Sequence, residues 1–260
     1  MIGTVPLVLL GIVLMAAMLL AYEGGLRLHR SISHRADGGN SESSDEGYVL
    51  SGVFGLLALL MAFAFSLALG RFDERRALAV AEANAIGTMA SRLALVGADQ
   101  QQPLRQALSD YASARVATGT AADTARWDRL GRDAGQLHDR FGSRLYQVIA
   151  SGPADARTTL LVQAYDDLGD TAALRRSARA ARLPEAVLAL LAVYCMVGAG
   201  MLGYTIAASR AKHRIASGIF FLLLTAAFVT VLDLDRPRGG TIVVPQTELE
   251  DVARALARPA

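Results

Sequence analysis

Charged side chains that could bind ions or pair with one another concentrate in two short segments of the 260-residue sequence. The first segment is 71–76, which Glu82 follows, and the second is 233–240. Their charged members of interest are Arg71, Asp73, Arg75, Arg76, Glu82, Asp233, Asp235 and Arg236. Two interpretations stay open: ion pairs that anchor the ends of helices, or a charge network at the mouth of a pore or at a cation site. The spacing permits ion pairs between the two segments, and a pair of Asp235 with Arg71 or Arg75 is one testable form of them.

Patterns typical of enzymes are missing from the sequence. It contains no HExxH, GxSxG or Walker motif, and its four histidines are scattered. A GxGxxG match at 198–203 lies inside a charge-free apolar segment rather than after a strand, which disfavours a dinucleotide site. Asp233 and Asp235 resemble the start of an EF-hand loop, but the glycine at position 6 and the distal glutamate are absent. We therefore predict no catalytic residue, no metal and no cofactor, and an intramembrane enzyme is the least favoured class.

Four charge-free apolar segments dominate a chain that is 53% hydrophobic and only 19% charged. They are 1–22, 47–70, 186–209 and 215–232, and each is close to the roughly 17–25 residues that a membrane-crossing helix needs. Residues 1–22 have no preceding basic region and are too long for a signal peptide, so we expect a retained helix. The lack of Asp, Glu, Lys, Arg and His within these segments disfavours an ion-coupled pump, but not a channel.

The order of these segments predicts an all-α integral membrane protein with two transmembrane pairs. The first pair is 1–70, with helices at 1–22 and 47–70 and a polar loop at 23–46, and the second pair is 185–234. Between them, 71–184 shows apolar spacing of three and four, which indicates a helical extramembrane domain. Its first helix should continue directly from the second transmembrane helix, since no Pro or Gly cluster intervenes. Residues 235–260 are expected to form a C-terminal tail.

The side of the membrane that the extramembrane domain occupies stays open. The loops within each pair carry Arg27, Arg30 and Lys212, which favours a cytoplasmic location for those loops. Arginines where the domain meets the membrane favour the opposite orientation. The net charge is only +2 and no basic patch with interleaved aromatics is present, so nucleic acid is not an expected partner.

Small residues recur at four-residue spacing on two membrane helices, where they would let helix backbones approach closely. They are Ala58, Ala62, Ser66 and Gly70 on the second helix, and Cys195, Ala199, Gly203 and Ala207 on the third. Packing within one subunit and packing between subunits both stay open. Large apolar side chains on the second helix are candidates for a constriction that gates by excluding water. They are Phe54, Met61, Phe63 and Phe65, and the alternative is that they face lipid or pack in the protein.

Several of these segments resemble the bacterial bestrophin-like family of uncharacterised membrane proteins, with distant similarity to bestrophin channels. The similarity is carried by residues 55–88, by ARLP at 181–184, and by LDLDRPRGG at 232–240 followed by 242–244. It implies a pentameric ion channel, with Phe63 and Phe65 near an apolar neck and with Asp233 and Asp235 near an acidic clasp. Residues 47–70 hold no proline, whereas the neck of bestrophins is rich in proline.

Two hypotheses of different class follow. The leading one is a homo-oligomeric ion channel of the bacterial inner membrane, with its pore lined by the second transmembrane helix and with the lipid bilayer and inorganic ions as partners. The alternative is a non-conducting membrane sensor or scaffold whose helical domain binds a partner.

Overall fold

A computed structural model describes residues 6–33, 43–121, 123–152, 155–208, 214–237 and 240–258. In these ranges the chain forms eight α-helices, one short 3₁₀ turn at Leu93–Leu95, and no strand. The helices are α1 (Leu7–Ser33), α2 (Ser43–Arg92), α3 (Ala98–Thr120), α4 (Thr124–Ser151), α5 (Ala156–Ala180), α6 (Glu185–Ala208), α7 (Arg214–Asp235) and α8 (Thr247–Ala257). The predicted all-α class is confirmed.

Four segments of this helical chain are long and apolar enough to cross a membrane, as the charge-free segments predicted. They are Leu7–Ile32, Gly47–Leu95, Ala156–Ala207 and Arg214–Asp235. The third of these contains both α5 and α6, and its charge-free part is α6 after Glu185. The second corresponds to α2, which is one continuous helix of 50 residues. The protein is therefore an integral membrane protein with two pairs of transmembrane helices.

The chain divides into two compact units. We call Met1–Gly70 together with Arg182–Arg236 the membrane unit, and Arg71–Ala181 together with Pro237–Ala260 the bundle. In the membrane unit α1 packs on α6 and α7. Its contact face is a stripe at four-residue spacing, in which Leu14, Met18, Tyr22 and Leu26 are buried. Such spacing places these side chains on one side of the helix.

The bundle has an apolar core to which five helices contribute. Ile86 and Met89 of α2, Leu108 of α3, Phe141 of α4 and Leu168 of α5 are all fully buried in it. Two of the helices begin at aspartates that cap their free N–H groups. The carboxylate of Asp123 accepts from the backbone of α4, and that of Asp155 accepts from the backbone of α5.

The fifth helix of the bundle, α8, lies in a segment for which the sequence predicted only a tail. Leu249, Ala253 and Leu256 are buried in the bundle core at spacings of four and three. The charged residues Glu248, Asp251 and Arg254 are exposed, so α8 is a short amphipathic helix that covers apolar surface of α3.

Candidate functional site

The membrane part of α2 has one packed side and one exposed side. Leu57, Met61, Ala64 and Ala68 are buried, at spacings of four, three and four. The small residues Ala58, Ala62, Ser66 and Gly70, which the sequence singled out, are all exposed. In the single chain this series therefore makes no tight helix contact and stays available to another surface.

The large apolar side chains proposed for a constriction divide between these two sides. Met61 is buried, and the ring of Phe54 packs edge-on against Phe220 with centroids 5.0 Å apart. Phe63 and Phe65 are 60% and 42% exposed. The last two are two positions apart, hence about 200° apart around the helix, so they cannot line the same axis. The structure leaves the role of all four in a pore as a prediction.

A groove of about 840 Å³ runs between α2 and α7 on the outside of the membrane unit. Ala58, Ala62 and Phe65 line it from α2, and Phe220 and Leu223 line it from α7. Its lining is almost wholly apolar. Phe65 thus belongs to this groove, whereas Phe63 lies on the side of α2 away from the packed residues.

The corresponding small residues of α6 behave differently, because they pack inside the chain. Cys195 and Ala199 are fully buried, Gly203 is buried and Ala207 is partly buried. A Cβ at Gly203 would collide with the carbonyl oxygen of Tyr22, and one at Gly25 would collide with the carbonyl of Gly200. Helices α1 and α6 therefore cross with their backbones in contact, which only glycine at these positions permits.

The charges at the end of α7 are buried. Asp233, Asp235 and Arg236 have exposed fractions of 5%, 5% and 7%. Oδ1 of Asp235 accepts a 2.8 Å hydrogen bond from the backbone N–H of Leu183, just before α6. Burial lowers the pKa of the Arg236 guanidinium below its usual value and the charge of Arg182 lowers it further, although Asp233 and Asp235 act in the opposite direction.

The charges that follow the apolar part of α2 lie in the bundle. Arg75 is buried, and its guanidinium donates from Nε to the carbonyl of Ala178 at 3.2 Å and from a terminal nitrogen to that of Ala181 at 3.1 Å. It thereby satisfies carbonyl groups at the C-terminal end of α5. Arg71 is partly buried, while Asp73 and Arg76 are exposed. The proposed pairing of Asp235 with Arg71 or Arg75 stays a prediction.

Glu82 was grouped with these boundary charges in the sequence, but its carboxylate lies in the interior of the bundle and is fully buried. It accepts hydrogen bonds from Nε of Arg115 and from a terminal nitrogen of Arg175. Arg175 also donates to Oε1 of Gln246. One carboxylate thus joins α2, α3 and α5, and Arg175 extends the network to the residue before α8.

No site role was predicted for Arg115, Arg175 or Gln246, although the sequence carries a signal for the burial of two members of this network, Glu82 and Arg115. Glu82 lies in a buried series of α2 with Ala79, Ile86 and Met89, at spacings of three and four. Arg115 continues the buried series that runs through Leu108 and Tyr111 of α3. A charged residue at an otherwise apolar position of each helix indicates a buried ion pair. Among the residues that the structure describes, no group of three or more His, Cys, Asp or Glu could hold a metal ion.

The fold and these features define a multi-pass helical membrane protein with an extramembrane bundle. The chain belongs to the bestrophin-like family, since the model of the bestrophin-like domain matches residues 7–249. No curated protein matches the sequence.

Solved structures of a bacterial bestrophin homologue from Klebsiella pneumoniae share this fold. A variant in which one tryptophan is replaced by alanine is 14% identical, with a TM-score of 0.70 and 96% of each chain covered. A tyrosine-to-alanine variant is 14% identical, with a TM-score of 0.68, 94% of this chain and 97% of that chain covered. An isoleucine-to-threonine variant is 16% identical, with a TM-score of 0.68, 92% of this chain and 96% of that chain covered.

Proposed function

We propose that the protein is a homo-oligomeric ion channel of the bacterial inner membrane, with α2 of each copy lining a central pore. The observation that carries this proposal is the exposed side of α2, which bears small residues along about three helical turns and no charged residue between 47 and 70. Membership of the bestrophin-like family and the fold of the bacterial bestrophin homologue support it. By the same resemblance, we propose five subunits.

In the proposed oligomer, the different sides of α2 have different roles. The face opposite the buried residues carries Gly52, Leu59, Phe63, Ser66 and Gly70, so this face would point to the axis. The apolar groove that includes Ala58 and Phe65 would then receive a neighbouring copy, because close packing of small residues drives helix association in lipid. Phe63 is the aromatic side chain proposed for the constriction.

In this proposal the transmembrane pairs at 1–70 and 185–234 form the part of the protein that contains the pore. The domain at 71–184 lies outside the membrane. The alternative is a non-conducting sensor or scaffold with the same fold. A current is therefore the property that separates the two hypotheses.

Planar-bilayer recording on the purified protein tests the proposal, and native mass spectrometry counts the subunits. We expect Phe63→Ala to increase the unitary conductance or change ion selectivity, because it widens an apolar constriction. Phe65→Ala is the matched control, since it removes an exposed aromatic ring of the same helix from the other side. It should weaken the oligomer and leave the conductance of the assembled oligomers unchanged.

Three results would contradict the proposal. The first is a clean monomer by native mass spectrometry. The second is an intact oligomer without conductance under any condition of salt, pH or calcium, which favours the scaffold. The third is an equal change in conductance for both variants, which would remove the assignment of Phe63 to the axis.

A further inference from the structure

The bundle contains a small cavity of about 50 Å³ whose lining is rich in arginine. The arginines come from three helices: Arg75 from α2, Arg115 from α3, and Arg175, Arg176 and Arg179 from α5. A cavity needs only about 10–15 Å³ to hold one water molecule, so this one has room for a small oxyanion. All of its lining residues belong to the bundle.

Arg115 is the most informative of these side chains. It is 6% exposed, and among the described residues its one hydrogen bond runs from Nε to Glu82. A guanidinium has five N–H donors, so its four terminal N–H groups have no such partner. No terminal nitrogen of Arg115 is among the fully buried polar atoms without a partner, so these donors are accessible from the cavity that the side chain lines. An acceptor in the cavity would satisfy them.

The charge of the network points to an anion as that acceptor. Arg115 and Arg175 share one carboxylate, that of Glu82, so the two guanidiniums exceed it by one positive charge. Burial by itself lowers the pKa of Arg115, but the negative charge of Glu82 raises it above its ordinary value. The excess charge therefore persists at every physiological pH. Arg176 is exposed and lines the same cavity, which adds a second charge at the rim.

The wall of the cavity is held in place before any ligand binds. Gln246 accepts from Arg175, and its amide nitrogen donates to the carbonyls of Val244 and Pro245, both at 3.1 Å. A Cβ at Gly119 would collide with both Gln246 and Arg175, so this glycine permits their approach. Donors fixed in advance bind an anion with a smaller loss of side-chain entropy.

We propose that this cavity binds a phosphate group, either as inorganic phosphate or as part of a phosphomonoester. Arg115 and Arg176 would donate to the phosphate oxygens, while Glu82 and Gln246 hold Arg175 as the third guanidinium. Forked guanidinium donors match phosphate oxygens well. Donors that converge from α3 and α5 suit a tetrahedral oxyanion better than a planar carboxylate.

Intrinsic fluorescence offers a direct assay, because Trp127 is the only tryptophan of the sequence and lines the cavity. The Arg179 guanidinium carbon lies 4.8 Å from the centroid of its ring. The purified full-length protein in detergent is titrated at constant ionic strength with inorganic phosphate, glucose 6-phosphate, acetate or chloride. We expect a saturable change with phosphate, with glucose 6-phosphate, or with both, and none with acetate or chloride. The compound that gives a saturable change in fluorescence shows whether the cavity binds inorganic phosphate or a phosphomonoester.

Matched variants decide whether the response comes from this cavity. Arg176→Gln should weaken phosphate binding about tenfold or more, since it removes a charged donor at an exposed position. Arg140→Gln replaces an exposed arginine of α4 away from the cavity and should leave binding unchanged. Arg115→Lys keeps the charge with fewer donors and should also weaken binding, with folding checked by circular dichroism.

The proposal is overturned by any of three results: no saturable response to either phosphate, an equal response to chloride at the same ionic strength, or identical affinities for wild type and Arg176→Gln. The Arg176→Gln comparison holds even if Arg115→Lys fails to fold. None of these measurements depends on conductance, so the outcome is independent of the proposed channel.

Discussion

Oδ1 of Asp235 lies 2.8 Å from the backbone nitrogen of Leu183, and it accepts the hydrogen bond of that N–H group. The last residue of α7 is thereby joined to the segment that leads into α6. Asp235 belongs to the LDLDRP stretch that carries the family resemblance. Both Asp235 and Leu183 are buried, so the bond is shielded from water and its loss leaves a polar group without a partner.

We predict that Asp235→Ala lowers the stability of the protein by about 1–3 kcal/mol, because the N–H of Leu183 then stays buried and unbonded. Asp235→Asn retains an acceptor oxygen and should cost less. The exposed Asp133→Ala is the control. Thermal unfolding followed by circular dichroism measures all three, and equal melting temperatures for Asp235→Ala and Asp133→Ala would contradict the assignment.

A larger effect is expected at Glu82. Glu82→Gln removes the one carboxylate that pairs with both Arg115 and Arg175 among the described residues, so a buried and a partly buried guanidinium lose their counter-ion. Breaking a buried ion pair in this way typically costs about 3–5 kcal/mol. Glu74→Gln, an exposed position of the same helix, should change the unfolding temperature little. Similar unfolding of the two variants in denaturant titrations would show that the buried network contributes little to stability.

The transmembrane architecture could be predicted from the sequence because a single requirement dominates it. A helix in hydrocarbon must be about 20 residues long and free of charge, and four segments of this chain meet that condition. The pattern is therefore visible in each segment by itself. The spacing of the small residues could also be seen in the sequence, but the helices that they contact could not. The series on α6 packs on α1, and the series on α2 is exposed, a difference that depends on tertiary contacts.

The buried network of the bundle could not be predicted in the same way. Glu82, Arg115 and Arg175 are separated by 33 and 60 positions, and only the packing of three helices brings their charges together. Similarly, α8 has 11 residues and only three buried apolar side chains, so its pattern is too short to stand out from a polar tail. Local spacing shows which side of a helix is apolar, but not which helix covers it.

The contact between α1 and α6 gives a prediction with a matched pair of glycines. Gly203→Ala places a methyl group against the carbonyl oxygen of Tyr22, and such overpacking costs about 1–3 kcal/mol. Gly218→Ala meets no atom within 4 Å in α7, so the higher helix propensity of alanine should make this change neutral or stabilising by up to about 1 kcal/mol. Melting temperatures in detergent compare the two. A stabilising effect of Gly203→Ala would contradict the close crossing of α1 and α6.

Removing the hydroxyl of Tyr111 should not lower the stability of the protein, in contrast to the changes at Asp235, Glu82 and Gly203. Tyr111 is 1% exposed, and its hydroxyl oxygen has no hydrogen-bond partner among the described residues. The ring packs in the bundle core. Tyr111→Phe therefore keeps the packing and removes an unsatisfied polar group, so stability should be unchanged or higher by about 1 kcal/mol. A clear fall in melting temperature at neutral pH would indicate that this hydroxyl has an acceptor in solution.

The same residue makes stability depend on pH at the alkaline end. Burial, the largest effect, raises the pKa of Tyr111 from its ordinary value of 10.0 to about 12, with Arg115 acting against this rise and Glu82 adding to it. In the unfolded chain the phenol ionises near pH 10, whereas in the folded protein it stays neutral until about pH 12. The stabilisation is therefore complete below about pH 10 and is lost as pH rises towards 12, by about 3 kcal/mol from this group. Denaturant unfolding between pH 9 and 12 should show a steeper loss for wild type than for Tyr111→Phe. Parallel curves for the two proteins would show that Tyr111 ionises at its ordinary pKa in the folded state.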